Sequence, residues 1–445
     1  MSTLTSANPT YWRNWSGRVE GRPRQSVSPA STAEVAAIVK AAEGLRVKAI
    51  GSGHSFTPIA VTDGIQLHLD RLNQVVSVDQ ANGLVTVQGG ITIAQLNDEL
   101  ARRGLALENM GDIDQQTITG AISTGTHGTG ARFGSIATQV RGLELVLADG
   151  SVVTCSPTER PALFSAARVG LGALGIITTV TLQCVPAFAL RCVEQPLPLD
   201  QVLEGIDEFV DGHDHFEFYW FPHTATALTK QQRREPLDPA TLQPVGRLRG
   251  WFDDEFVTNT AFEALLRLGT AVPASVPAIT RLVTRAISAR EYADQSHRVL
   301  ASRRNVRFNE GEYAVPRADL VPLLREIRRW VDSHDEPVSF PLEIRFVAGD
   351  DIPLAPTYQR DSAYIAFHQY HRMPYHRYFD ALEDIFVEVA GRPHWGKLHR
   401  LGAEELRARY PLFDEFVALR DELDPTDAFG NDYLDRVLGP RGDVR

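Results

Sequence analysis

Ala49-Ile50-Gly51-Ser52-Gly53-His54-Ser55-Phe56 joins a short apolar run to two glycines that bracket a serine, with a histidine directly after. Glycine backbone lets N–H groups approach a phosphate closely, and Ser52 and Ser55 add hydroxyl donors. Upstream, Ser31-Thr32-Ala33-Glu34 has the pattern of a capping box. Val35, Ile38 and Val39 follow at helical spacing toward a stop at Gly44. Arg46 to Ile50 then reads as a short strand that feeds the glycine turn. A lone Gly-x-Gly also fits a plain tight turn. A Rossmann loop needs a helix straight after its glycines, and here Pro58 and Gly64 argue against one. No Gly-Lys-Ser/Thr follows either, so the loop is not a Walker A turn. A phosphate held here is held by another architecture.

A second glycine-rich stretch spans 117–135. Gly120, Gly125, Gly128, Gly130 and Gly134 interleave with Thr117, Thr119, Ser123, Thr124, Thr126 and Thr129. The run lacks the apolar bulk of a core helix and is rich in small donors. A flexible linker has a similar composition, but Ile118, Ala121 and Ile122 give this one apolar anchors and both flanks look folded.

Taken together, Gly51-Ser52-Gly53-His54-Ser55 and Thr124-Gly125-Thr126-His127-Gly128-Thr129-Gly130 resemble the vanillyl-alcohol-oxidase superfamily of FAD-linked oxidoreductases with a PCMH-type FAD domain. Within it they resemble the aldonolactone (gulonolactone, arabinonolactone) and alditol oxidase branch. The likeness extends to His394-Trp395-Gly396-Lys397 and Phe429-Gly430-Asn431-Asp432-Tyr433, so it covers nearly the whole chain. It implies a two-subdomain FAD-binding domain over 1–185, an α+β substrate-covering cap over 186–415, and a C-terminal return to the FAD domain over 416–445. The mixed order of strands and helices itself favours α+β over a doubly wound parallel sheet. The cofactor implied is FAD, held by Gly51, Ser52, Gly53, His54, Ser55, Gly111, Thr117, Gly120, Thr124, Gly125, Thr126, His127, Ile177 and Lys397. In many such proteins the first-loop histidine is bonded covalently to the flavin methyl group, and His54 stands at that position.

Ser339 to Val347 has strand character, which puts Leu342, Ile344 and Phe346 on one face and Glu343 and Arg345 on the other. By pattern alone this is a solvated strand face. The resemblance instead turns the Glu-x-Arg pair toward flavin and substrate, with Arg345 holding substrate oxygens and Glu343 orienting hydroxyls. Lys397 would read as an exposed lysine on its own, yet Trp395 and Gly396 are poor company for a solvated face. In the family it reaches the flavin or a substrate oxygen, where a cation stabilises developing negative charge. On the strand Tyr364 to His371, His368 and Tyr370 share a face. His368 matches a family histidine that takes the substrate's hydroxyl proton; a structural, hydrogen-bonded histidine is the alternative. Tyr370 and Asp112 are further substrate-contact candidates. Asp112 replaces a serine of the alditol branch, which weighs against a polyol.

The chain of 445 residues, 43% hydrophobic and 23% charged, is long enough for two or three domains. Its net charge of −11 disfavours nucleic acid, and no apolar run suits a membrane span. Three scattered cysteines make neither a metal site nor a disulfide framework, and the N-terminus has no signal-peptide pattern. The expectation is a cytoplasmic enzyme without a metal. The resemblance implies that it oxidises a CH–OH group of a gulono-1,4-lactone-like sugar lactone by hydride transfer to flavin N5, with O2 or another redox acceptor closing the cycle. A polyol is the alternative substrate, and a non-redox nucleotide-binding protein is the alternative class.

Overall fold

The computed structural model describes residues 11–246, 262–302 and 306–441. Its first lobe is a parallel unit. Strand β1 (Gln25–Val27) leads through helix α1 (Thr32–Lys40) to β2 (Val47–Ile50), and β3 (Ile65–His68) lies between the two strands. Ser31 caps α1 by accepting from the Glu34 N–H at 3.2 Å. The capping box is incomplete, because the Glu34 carboxylate accepts from the Ala30 N–H at 2.8 Å. Val35, Ala36 and Val39 turn inward onto Val47, Ile65 and Leu67. After Ile50 the chain passes through bends and turns to Gly64 with no helix.

The second lobe is a five-stranded antiparallel sheet of β4 (Val75–Asp79), β5 (Leu84–Gln88), β6 (Val140–Val146), β7 (Val152–Cys155) and β8 (Ile176–Gln183), ordered β7-β6-β8-β5-β4. Helix α2 (Ile93–Ala101) starts at Thr92, which forms a complete capping box with Gln95. The second glycine stretch is more regular than its composition suggests: Ile118–Ser123 forms helix α3, capped by Thr117. Ile118, Ala121 and Ile122 fall at i, i+3 and i+4 and are fully buried. That single apolar stripe is enough to seat a short helix among the glycines.

The third lobe is an eight-stranded antiparallel sheet. Its strands are β9 (Phe188–Pro198), β10 (His215–Trp220), β11 (Thr226–Pro236), β12 (Arg290–Gln295), β13 (Phe308–Pro316), β14 (Leu342–Val347), β15 (Ser362–Tyr370) and β16 (Arg392–Pro393), in the order β12-β9-β11-β10-β14-β15-β13-β16. The polar composition of 231–250 reads as a surface loop, yet 231–236 belongs to β11. There the ladders to β9 and β10 satisfy the backbone regardless of side-chain polarity. Residues 237–246 do leave the strand, and 247–250 lie outside the described residues.

Helices α4 (Leu320–His334) and α5 (His376–Glu388) cover one face of this sheet, where Tyr313 stacks on Phe386 and Phe367 meets Phe379 edge-on. The opposite face carries charged side chains and turns toward the first two lobes. The Gly130 N–H donates to Phe346 O at 2.7 Å and so ties the second glycine stretch to β14. The end of the chain returns to the first lobe: Lys48 Nζ donates to Phe429 O at 2.8 Å, and Asn431 Nδ2 donates to Val61 O at 2.9 Å. Cys155, Cys184 and Cys192 are free and buried, their thiols pushed up to about 12 by burial. Among the described residues no helix is long and apolar enough to cross a membrane.

Candidate active site

The turn after β2 and the N-terminal end of α3 face each other across a groove. Ile50, Gly51, Ser52, Gly53, His54 and Ser55 form one wall, and Thr117, Thr119, Gly120, Ser123 and Thr124 the other. Leu171, Ile176, Ile177 and Phe429 also line the groove. Two glycines matter sterically. Gly53 sits at φ +70°, which carries the turn, and a Cβ on Gly51 would lie 2.4 Å from Thr117 Oγ1. The donors are backbone N–H groups and the hydroxyls of Ser52, Ser55, Thr117 and Ser123, which suit a pyrophosphate. The apolar side chains of Leu171, Ile176, Ile177 and Phe429 suit a base. These residues fit FAD.

The groove continues into a cleft of about 700 Å3, since Ser52, His54, Ser55, Gln116 and Thr124 line both. The cleft is bounded by the polar face of the eight-stranded sheet. Register builds that face: Glu217, Arg345 and Tyr364 lie side by side across β10, β14 and β15, and Tyr219, Glu343 and Ala366 form the next row. Arg345 is 8% exposed and holds three carboxylates: Asp112 at 3.3 Å, Glu217 at 3.1 Å, and Glu343 in closer contact. The neighbouring Tyr219 donates to Glu343 at 2.9 Å, and Lys230 meets Glu217 at 3.1 Å. Burial alone would lower the Arg345 pKa; Glu343, Asp112 and Glu217 raise it well above its ordinary value.

Two further carboxylates were not singled out from the sequence. Glu310 and Glu312 alternate along β13 and both line the cleft. Burial pushes both carboxyls up; Lys397 and His368 more than reverse this for Glu310, and His127 does so for Glu312, leaving both well below the usual range. Lys397 Nζ lies 2.5 Å from Glu310, and His127 Nε2 lies 3.2 Å from Glu312. The sequence signal was present in Asn309-Glu310-Gly311-Glu312, a period-two pair of acids inside a strand, but no apolar alternation marked that strand.

His127, Glu312 and His394 bring ligand atoms within 4.8 Å of one another. Their hydrogen bonds argue against a cation. His394 Nδ1 accepts from the Gly396 N–H at 3.0 Å, so the ring proton sits on Nε2 and leaves no lone pair there. Burial lowers the His394 pKa to about 3, which keeps that neutral form.

Most of the residues singled out from the sequence converge. Gly51, Ser52, Gly53, His54, Ser55, Thr117, Gly120, Thr124 and Ile177 line the groove. Gly111, Asp112, Thr126, His127, Arg345 and Lys397 line the cleft. Four sit elsewhere. Gly125, at φ +76°, packs toward Pro356. Glu343 lies beneath Arg345, and His368 lies behind Glu310. Tyr370 shares β15 with His368, but its hydroxyl donates to Glu263 at 3.1 Å within a small cluster of Leu266, Val276, Val306 and Met373. The strand end carries it beyond the cleft.

A groove of small donors that opens on a cleft of paired cations and carboxylates fits an enzyme acting beside a nucleotide cofactor. Comparisons make the class specific. The FAD binding domain model matches residues 23–156, and the D-arabinono-1,4-lactone oxidase model matches residues 180–437. The chain therefore belongs to the D-arabinono-1,4-lactone oxidase family of FAD-dependent oxidoreductases. It is similar to L-gulono-1,4-lactone dehydrogenase of Mycobacterium tuberculosis, at 45% identity over 96% of this chain and 99% of that protein. It is also similar to L-gulonolactone oxidase of Bos taurus, at 36% identity over 96% and 98%. Among solved structures, a solvent-stable cholesterol oxidase has the same fold, with a TM-score of 0.82 at 20% identity over 97% of each chain.

Proposed function

We propose that the protein oxidises a CH–OH group of a gulono-1,4-lactone-like aldonolactone. One observation carries this: Arg345, Asp112, Glu310 and Lys397 crowd one cleft that opens directly on the glycine groove. The Mycobacterium tuberculosis relative, matched almost end to end, is named for a lactone of this kind. FAD, when bound, supplies the hydride acceptor. Arg345 binds lactone or hydroxyl oxygens, held in place by Glu217 and Glu343 on its own face of the sheet. Asp112 accepts from a substrate hydroxyl at the rim. Lys397 places a cation where negative charge develops.

His54 is the residue for covalent attachment. Burial, with Lys397 adding to it, lowers its pKa to about 4, so at pH 7 the ring is neutral and offers a lone pair for a bond to carbon. Its ring packs 5.9 Å from that of Trp15, which limits its orientation.

A polyol is the second reading, because an alditol oxidase of Streptomyces sp. matches at 32% identity over 96% of this chain. The test is anaerobic bleaching of the purified yellow enzyme by a panel of aldonolactones and alditols. Bleaching by lactones alone is expected. Bleaching by alditols alone transfers the function to polyols, and a colourless protein that takes up no FAD refutes both.

A further inference from the structure

Glu310 stands on β13 directly opposite His368 on β15. It touches both groups on which the proton chemistry of the cleft depends. Its Oε2 lies 2.5 Å from Lys397 Nζ, and its Oε1 lies 3.3 Å from His368 Nε2. The Leu398 N–H donates to Glu310 O at 2.9 Å, which fixes the Lys397 loop to the same strand. Of the three, Glu310 and Lys397 line the cleft. His368 is 3% exposed and is flanked by the rings of Phe308 and Phe340. A substrate hydroxyl in the cleft therefore meets Glu310 before it meets His368.

The position of the proton on His368 follows from its partners. Nδ1 lies 3.3 Å from the carbonyl oxygen of Pro341, which can only accept, so Nδ1 carries hydrogen. In the neutral ring Nε2 then offers a lone pair. It is buried, and it makes no hydrogen bond although Glu310 stands beside it. A buried lone pair facing a carboxylate is a place short of one proton.

We propose that Glu310 is a catalytic residue: it accepts the hydrogen bond of the hydroxyl being oxidised and hands that proton to Nε2 of His368. This rests on the reading of the cleft as an alcohol-oxidising site. The substrate O–H bond breaks and an Nε2–H bond forms. FAD, when bound, would take the hydrogen with its electron pair from the carbon as the C–O bond becomes double. Glu310 starts and ends the step ionised, as its contact with Lys397 requires. Glu312 lies two residues along the same strand, and neutral His394 packs beside Glu312, so neither supplies a competing acid.

The experiment uses parent holoenzyme with Glu310→Gln, Glu310→Asp, Glu310→Ala and His368→Gln. In enzyme labelled with 15N-histidine, the His368 Nε2 resonance is assigned by its loss in His368→Gln. It should move in Glu310→Gln; an unmoved resonance overturns the proposal whatever the substrate is. In anaerobic stopped-flow with a reducing lactone, Glu310→Gln should slow flavin reduction about a hundredfold or more at unchanged FAD content. Glu310→Asp should recover part of the rate. Formate should restore Glu310→Ala but not His368→Gln. Parental reduction by Glu310→Gln, or indifference of Glu310→Ala to formate, overturns the proposal. If the parent is reduced by no lactone or polyol, the proposed function falls instead, and the resonance alone decides on Glu310.

Discussion

Replacing Arg345 by methionine keeps much of the side-chain volume and removes a guanidinium shared by Asp112, Glu217 and Glu343. Removing one partner of a buried ion pair costs about 3–5 kcal/mol, because the remaining charge stays out of water. For a chain of 445 residues unfolding as one unit, the unfolding entropy is roughly 0.9 kcal/mol/K, so Tm should fall by about 3–5 °C near neutral pH. The pH dependence has a definite sign. In the parent, burial raises the Glu217 carboxyl but Lys230 and Arg345 outweigh it, so it titrates below its ordinary 4.5. Its stabilising contribution is then complete above that value and is lost as pH falls through the lower folded value. Without Arg345 the balance moves toward burial and the folded value rises. Protonation then relieves the variant, so its deficit against the parent is largest near pH 7 and shrinks toward pH 5. Thermal unfolding followed by tryptophan fluorescence from pH 5 to 8 measures it, with FAD content as a control. A Tm deficit that is absent, or constant across that range, would refute the claim that these carboxylates lean on Arg345.

Acid precipitation of the native enzyme should leave the yellow colour with the pellet, and His54→Ala should release it to the supernatant; a parent that gives up all its colour has no covalent link. Lys397→Met should slow anaerobic flavin reduction about a hundredfold, roughly 3 kcal/mol of lost charge stabilisation, with FAD still bound. Reduction at the parental rate would return Lys397 to an ordinary surface cation. Gly111 lines the cleft, and a Cβ there would lie 3.0 Å from Thr126 Cγ2 and 3.1 Å from His127 O, so a methyl group fills space that is already tight. Gly111→Ala should therefore reoxidise in air more slowly than the parent. A parent that stays reduced in air but reacts with a dye acceptor would show that oxygen is excluded elsewhere.

The cofactor groove was legible because its parts are local. Gly51 to Ser55 and Thr117 to Thr124 are short runs in which backbone freedom and small donors sit next to one another, and both line the groove. The α2 cap at Thr92 and the strand around Glu343 and Arg345 were likewise set by neighbours in the chain. The helix inside the second glycine run was not, because three apolar residues at helical spacing were outnumbered by glycine and threonine.

The catalytic face depends on register between distant strands. Glu217 meets Arg345 across 128 residues, and Lys397 meets Glu310 only because β16 pairs with β13 and the Lys397 loop hydrogen-bonds along β13. In a one-dimensional reading, Glu310 and Glu312 look like acids on a solvated strand, and Tyr370 looks equivalent to His368. By itself the sequence determined the α+β class, the glycine turns that fit FAD, and the chemical types at the Glu-x-Arg and Trp-Gly-Lys positions, since each is a property of adjacent residues. Only the tertiary structure decided which charges pair, that His368 stands behind Glu310, and that Tyr370 turns to Glu263. Burial and cross-strand register set these, because the energy of a charge depends on what surrounds it in space.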